Sequence, residues 1–403
     1  MTSDGPATNA GPAANRPHVD PLLRTPSGRL RARGLGIPLQ GTPGPWNAIT
    51  DVPGVEVGYT TLISGEGPLV PGQGPVRTGV TAIHPRGRQG TPDPVQAGWF
   101  SFNGNGEMTG TILIEETGFL STPILITNTH SVGAVHTGAD MWLTERHPGL
   151  AKLWMLPVVA ETWDGYLNDT NGQHVKPEHA FAALDAARSG PVEEGSVGGG
   201  TGMICYGFKG GSGTASRLVE FGGTTYTVGV FMQANFGWRP ELTIAGVPIG
   251  VHIPEGNPLD DASWLLPPGA GSCITIVATD APLLPGQCKA LARRVPMGLA
   301  RTGTTSSHFS GDIFLAFSTG NPGCVTTGAA TILGRPQTRE SQSWLPWGEA
   351  DPLFAAVVFA VEEAVLNVLV ANEDMTGWDG HWVPALPHDR VRELIASHRI
   401  TLA

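Results

Sequence analysis

The stretch Leu265-Leu-Pro-Pro-Gly-Ala-Gly271-Ser272-Cys-Ile-Thr-Ile-Val-Ala-Thr-Asp280 decides how this chain is read. A Pro/Gly approach ends at Gly271, and a hydroxyl residue follows at once. Ile274–Ala278 is then a β-branched apolar run of the kind that forms a buried strand. Ser272 therefore stands at the head of a core strand, with its α-nitrogen on the loop side. A serine there can attack the carbonyl of its own preceding peptide bond. Gly271 has no Cβ to obstruct the attack and tolerates strained backbone angles. Once that bond breaks, hydroxyl and free amine belong to one residue. An amine titrating near pH ~8 can act as base for its own nucleophile. The plainer alternative is an ordinary Gly-Ser loop before a strand.

The chain has 403 residues, which allows two domains or one large α/β body. Charged residues make up only 15%, and glycines number 56, so the composition implies a large buried core with many tight turns. The net charge of -11 gives no general attraction to nucleic acid or an anionic membrane. No basic stripe overrides it. The four cysteines (Cys205, Cys273, Cys288 and Cys324) form no Cys-x-x-Cys pair and have no histidine cluster at zinc spacing. They are expected to be free, mostly buried thiols in a reducing, cytoplasmic setting. Residues 1–28 are expected to be a disordered N-terminal extension. They lack the basic start and apolar core of a secretory signal. No run of about 20 apolar residues is expected to span a membrane.

Along the chain, short apolar runs repeatedly end in polar clusters. Asn47–Gly58 is a turn at Pro53-Gly54 and then a strand. Thr78–His84 is an alternating strand. Trp99-Phe-Ser-Phe-Asn103-Gly-Asn-Gly106 leads from a strand into a tight turn. Thr111–Gly118 and Pro123–His130 are two more short apolar runs, and Ser131–Arg146 has helical character. Leu156–Ala160 is a strand followed by the acidic, aromatic loop Glu161–Asp169, where a carboxylate can hold a cation or merely cap a turn. Pro177–Arg188 is an amphipathic helix. Gly195–Met203 resembles a phosphate cradle, but no Gly-Lys-Ser/Thr follows. Cys205–Lys209 reads as a strand, which leaves a mobile or close-packed loop. Thr224–Asn235 is a long strand ending in an amide that can serve an oxyanion or cap a turn. Residues 238–264 read as a surface excursion. A helix is expected over about Gly286–Ala300, then polar residues before the strand Ile313–Phe317, then a long apolar helix over 351–371.

Five of these segments occur in an order that resembles the self-processing aminopeptidases of the DmpA and β-peptidyl aminopeptidase family. They are Asn47–Gly58, Ala160–Asp169, Gln233-Ala-Asn235-Phe-Gly237, Gly271–Pro285 and Ser310–Thr319. The resemblance covers roughly residues 29–380. It implies an αββα four-layer sandwich, like N-terminal-nucleophile hydrolases but with distinct connectivity, as in the DmpA/ornithine acetyltransferase superfamily. It implies one catalytic domain over residues 29–403, cut between Gly271 and Ser272. The products are an α polypeptide, 1–271, and a β polypeptide, 272–403, held together in a homo-oligomer, a tetramer. The implied reaction removes N-terminal residues from small peptides, amides or esters of L-, D- or β-amino acids. D-amidase and β-aminopeptidase activities both fall within that range.

By the same resemblance Ser272 is the nucleophile, and Ser310 and Asp312 match the family's Ser-x-acid pair. Some members carry Glu in place of Asp312. Asn235 matches the oxyanion amide and Glu161 the carboxylate for the substrate ammonium. Trp163 falls at a pocket position that can be Tyr, which bears on substrate preference. Ser310 and Asp312 could polarise the Ser272 hydroxyl or orient its amine. No metal or organic cofactor is needed by this chemistry. Two other readings are an acyltransferase of the ornithine acetyltransferase type, which uses a Thr nucleophile, and an unprocessed binding protein.

Overall fold

The computed structural model describes residues 19–260, 267, 269–324, 339 and 341–398. In chain order the strands of the two large sheets and of one short hairpin are β1 (Glu56–Ser64), β2 (Val76–His84), β3 (Val95–Ser101), β4 (Phe119–Leu120), β5 (Ile124–Asn128), β6 (Val158–Thr162), β7 (Ile204–Cys205), β8 (Phe208–Lys209), β9 (Gly211–Phe221), β10 (Thr224–Asn235), β11 (Gly271–Thr279) and β12 (Ser310–Ser318). The helices that build the layers are α1 (Val132–Arg146), α2 (Pro177–Ala186), α3 (Pro285–Ala292), α4 (Val295–Ala300) and α5 (Asp351–Val370).

Of the two large sheets, one has the order β1-β2-β5-β6 and the other β4-β3-β12-β11-β10-β9. β11 lies between β10, antiparallel to it, and β12, parallel to it. A parallel neighbour requires a crossover. α3 and α4 supply it, as α1 does between the parallel β5 and β6. The period-2 alternation of β11 then builds the sandwich. Ile274, Ile276 and Ala278 enter the layer between the sheets, with Ile126 of β5 and Ala160 of β6. Cys273 and Val277 face the helical side, with Leu291 of α3 and Val361 of α5. On the far side Val80, Leu125 and Val159 pack against Trp142 of α1 and Leu184 of α2. The result is the expected αββα order.

Several local expectations need correction. Thr111–Thr117 is a short helix, bounded by left-handed Gly110 and Gly118. The expected helix Gly286–Ala300 is two helices broken at Arg293-Arg294, because Pro296 lacks the N–H that would bond back to Ala292. Cys205–Lys209 is a hairpin: Tyr206 and Gly207 take φ of 54° and 70°, the left-handed pair that a two-residue turn between twisted strands requires. The excursion after residue 238 is partly core, since Leu242, Ile244 and Ile249 are buried. Of the expected N-terminal extension, residues 1–18 lie outside the described residues. Residues 19–28 are folded onto the body, with Arg24 bridged to Leu30 and Ser27 bonded to Glu193. α5 is long and apolar enough, by length and composition, to cross a membrane, contrary to expectation, yet most of it is buried in the protein core.

Two carboxylates interrupt that apolar helix. Glu362 pairs with Arg301, while Glu363 is fully buried between Arg33 and Arg217, with Asn47 donating to it as well. Burial pushes the Glu363 carboxyl up, but Arg217 and Arg33 outweigh it and hold the group below its ordinary value. Its contribution to stability is therefore complete above the ordinary carboxyl range. That contribution is lost as pH falls through the lowered value. Glu363→Ala leaves a buried guanidinium without its carboxylate and should destabilise the protein by about 3–5 kcal/mol. Denaturant titration at neutral pH measures this loss, and the gap between variant and parent should narrow at acid pH.

Candidate active site

Ser272 occupies the first buried position of β11. It lies opposite Asn235 across the antiparallel pair and Gly311 across the parallel one. Gly271 is required by close approach: a Cβ there would sit 2.0 Å from the Asn235 carbonyl oxygen. A Cβ on Gly311 would sit 2.3 Å from the carbonyl oxygen of Asn105. The Asn103–Gly106 loop thus lies directly on the strand end.

Two donors face the Ser272 hydroxyl. The Trp163 N–H lies 3.4 Å from Oγ and the Asn235 Nδ2 lies 3.5 Å away. Asn235 is locked in that orientation. Its Oδ1 accepts from the Ile204 N–H at 2.9 Å, and its Nδ2 also donates to the Trp163 carbonyl at 2.9 Å. The hydrogen-bond partners therefore decide which end of the amide faces the serine.

Glu161 comes from the other sheet, near the end of β6, and is buried. Its Oε1 accepts from the Glu107 N–H at 3.0 Å, and its Oε2 accepts from the Thr129 hydroxyl. Burial raises the pKa of the carboxyl, while these two hydrogen bonds work against the rise. Glu161, Trp163 and Ser272 line one cleft of about 370 Å³, together with Asn105, Gly106 and Phe309. A serine hydroxyl and a carboxylate that can bind a cation thus open onto the same space.

Ser310 and Asp312 are adjacent to this centre but differently aimed. Ser310 Oγ donates to Asp312 Oδ1 at 2.6 Å. Asp312 Oδ2 accepts from Ser306 Oγ at 2.7 Å and from Asn103 Nδ2 at 3.0 Å. Burial raises the Asp312 pKa, opposed by the Ser310, Ser306 and Asn103 donors. In the parallel register Ser310 stands beside Gly271 and Asp312 beside Cys273. Both side chains therefore share the sheet face opposite to that of Ser272. The pair flanks the Gly271–Ser272 backbone rather than the Ser272 hydroxyl.

All the expected site residues thus converge on one end of the sandwich. Sequence reasoning missed Asn103, Thr129, Glu107 and Ser306. The Asn/Gly turn at 103–106 and the polar run before His308 were visible signals, but no spacing tied either to Glu161 or Asp312. The Gly-rich loop is close-packed rather than a cradle. Added Cβ atoms at Gly199 and Gly200 would meet the Ile126 carbonyl oxygen at 2.6 Å and the Ser212 nitrogen at 2.5 Å.

The family model for peptidase family S58 matches residues 47–383. This chain belongs to peptidase family S58. It is an aminopeptidase, a hydrolase. The β-peptidyl aminopeptidase BapA of Sphingosinicella microcystinivorans is 51% identical over 378 residues, 92% of each chain. The L-aminopeptidase D-Ala-esterase/amidase of Ochrobactrum anthropi, described as a variant of the Ntn hydrolase fold, superposes with a TM-score of 0.84 at 47% identity. That match covers 91% of this chain and 98% of the other. A Burkholderia β-aminopeptidase superposes with a TM-score of 0.81 at 45% identity, over 91% and 99% of the two chains. The four-layer Ntn-hydrolase-like fold of this S58 member agrees with these neighbours.

Thr129→Val removes a hydrogen bond that favours the ionised Glu161 carboxyl, so Glu161 should titrate at still higher pH. The acid limb of kcat/KM for a free-amine substrate should move to higher pH with it. Coincident limbs in parent and variant would show that Glu161 does not govern binding of the amine.

Proposed function

We propose that this S58 peptidase cuts itself between Gly271 and Ser272, and that the freed Ser272 removes N-terminal residues from small peptides, amides or esters. The observation that carries this reading is the shared cleft, where the Ser272 hydroxyl, two donors aimed at it and the buried Glu161 meet. In the first step Ser272 Oγ adds to the Gly271 carbonyl, and the C–N bond breaks to leave an ester. Breaking that bond already frees the Ser272 amine, which takes up the proton lost by the hydroxyl. Water then hydrolyses the ester, freeing the Ser272 hydroxyl and the Gly271 carboxylate and leaving residues 1–271 and 272–403 as two polypeptides in one fold. Ser310 and Asp312, beside the Gly271–Ser272 backbone, then serve to orient the new amine.

In turnover, Glu161 holds the substrate ammonium in a largely desolvated site, where a charge-assisted hydrogen bond is strong. Ser272 Oγ attacks the scissile carbonyl and passes its proton to its own α-amine. The Trp163 N–H and Asn235 Nδ2 receive the developing oxyanion. Their 3.4 and 3.5 Å separations from Oγ suit donors aimed at a substrate oxygen beside it. The leaving amine takes the proton, and water then hydrolyses the acyl-enzyme. None of these steps needs a metal or organic cofactor. The names of the Sphingosinicella and Burkholderia relatives support N-terminal β-amino acids as substrates. That of the Ochrobactrum enzyme supports L-residues and D-alanine esters and amides. A reducing compartment such as the cytoplasm suits four unpaired cysteines, three of them buried. Assembly into a homo-oligomer, a tetramer, would cover exposed apolar surface such as Trp154, Trp344 and Trp347.

Removing one oxyanion donor typically costs about 3 kcal/mol of transition-state stabilisation. Asn235→Ala should therefore slow hydrolysis by about two orders of magnitude or more while the protein stays folded. Glu161→Gln should weaken turnover of free-amine substrates far more than of N-blocked esters. Near-normal rates in the first variant, or equal losses on both substrate types in the second, would contradict the assigned roles.

A further inference from the structure

Lys209, in the β7–β8 hairpin behind the site, is fully buried. Its ammonium donates to two backbone carbonyls, Met203 and Gly210, each at 2.8 Å. No carboxylate among the described residues pairs with it. Burial pushes its pKa down to about 7. The Cys205 thiol, itself pushed far up by burial and so neutral, is the other titratable group acting on it. A buried, unpaired cation is costly, so its presence calls for a reason.

Satisfying the backbone is not that reason. The Met203 carbonyl already accepts from the Gly210 N–H at 2.9 Å, and the Gly210 carbonyl from Asn372 Nδ2 at 2.9 Å. What Lys209 adds lies one peptide further on. The Met203–Ile204 peptide whose oxygen it holds is the one whose N–H locks Asn235 Oδ1. The series runs from Lys209 Nζ to the Met203 carbonyl, from the Ile204 N–H to Asn235 Oδ1, and from Asn235 Nδ2 to Ser272. Each link polarises the next in such a chain.

We propose that Lys209 is a positioning residue for the oxyanion donor, which it aims and polarises through the Met203–Ile204 peptide. This rests on the role of Asn235 given under Proposed function. In its protonated form, Lys209 on the Met203 oxygen draws electron density from the peptide and makes the Ile204 N–H a stronger donor. That pull on Asn235 Oδ1 makes the Nδ2 hydrogens stronger donors in turn. The lysine thereby acts on the reacting oxygen without touching it.

A double-mutant cycle on the full-length enzyme tests this. Lys209→Met keeps the apolar stem, and both carbonyls keep a partner. It should leave the melting temperature unchanged or raised, lower kcat about tenfold or more, and hold KM within about twofold. In the Asn235→Ala background the same substitution should lower kcat no further. Turnover is counted per chain cut at Gly271–Ser272; where a variant stays uncut, the cutting rate enters the same cycle. If the methionine variant fails to fold, Lys209→Gln takes its place. An unchanged kcat in the folded Lys209 variant, or losses that multiply with those of Asn235→Ala, overturns the proposal. A fully active Asn235→Ala would instead overturn the oxyanion reading on which it stands.

Discussion

The register of β11 between β10 and β12 is the constraint on which the rest of this structure depends. It sets Ser272 opposite Asn235 on one side and Gly311 on the other. A slip of one residue would turn Ser272 to the helical side and expel Ile274 and Ile276 from the layer between the sheets. Burial of that apolar face therefore specifies the position of a polar group. Gly271 completes the arrangement, because its neighbour across the ladder leaves no room for a Cβ. The bond proposed to break thus lies where two strand backbones approach closely.

The site is assembled from both sheets. Ser272 and Asn235 end strands of one, and Glu161 and Trp163 continue from a strand of the other. Their distance is set by the side chains that fill the space between, such as Ile274 and Ile276 against Ile126 and Ala160. Interiors packed at native density transmit little slack. The apolar core is therefore the spacer that keeps the Ser272 hydroxyl and the Glu161 carboxylate in one cleft. Polar supports then fix each group: Ile204 fixes Asn235, Thr129 and the Glu107 N–H fix Glu161, and Asn103 and Ser306 fix Asp312. Most of these supports are backbone groups or short hydroxyl side chains. Such groups are cheap to order, because they lose little side-chain entropy.

Much of this was legible in the chain itself. The β-branched run after Ser272, the polar ends of β6, β10 and β12, and the order of the motifs led to the four layers and to residues that the fold brings to one end of the sandwich. What stayed hidden depends on contacts between distant segments. Asn103 reaches Asp312 across 209 positions, and Glu107 reaches Glu161 across 54. No local pattern encodes such meetings. Hairpin turns failed for another reason: Tyr206 in a left-handed conformation is rare enough that Cys205–Lys209 read as continuous strand. The opposed faces of Ser272 and Asp312 also needed the parallel register, which a sequence of alternating residues does not reveal on its own.

Intact-mass spectrometry of the purified protein beside its Ser272→Ala variant tests the central claim most directly. The account predicts two polypeptides from the parent, meeting at Gly271–Ser272, and one uncut chain from the variant. A single intact chain from both, or cutting that survives the loss of the hydroxyl, would contradict it.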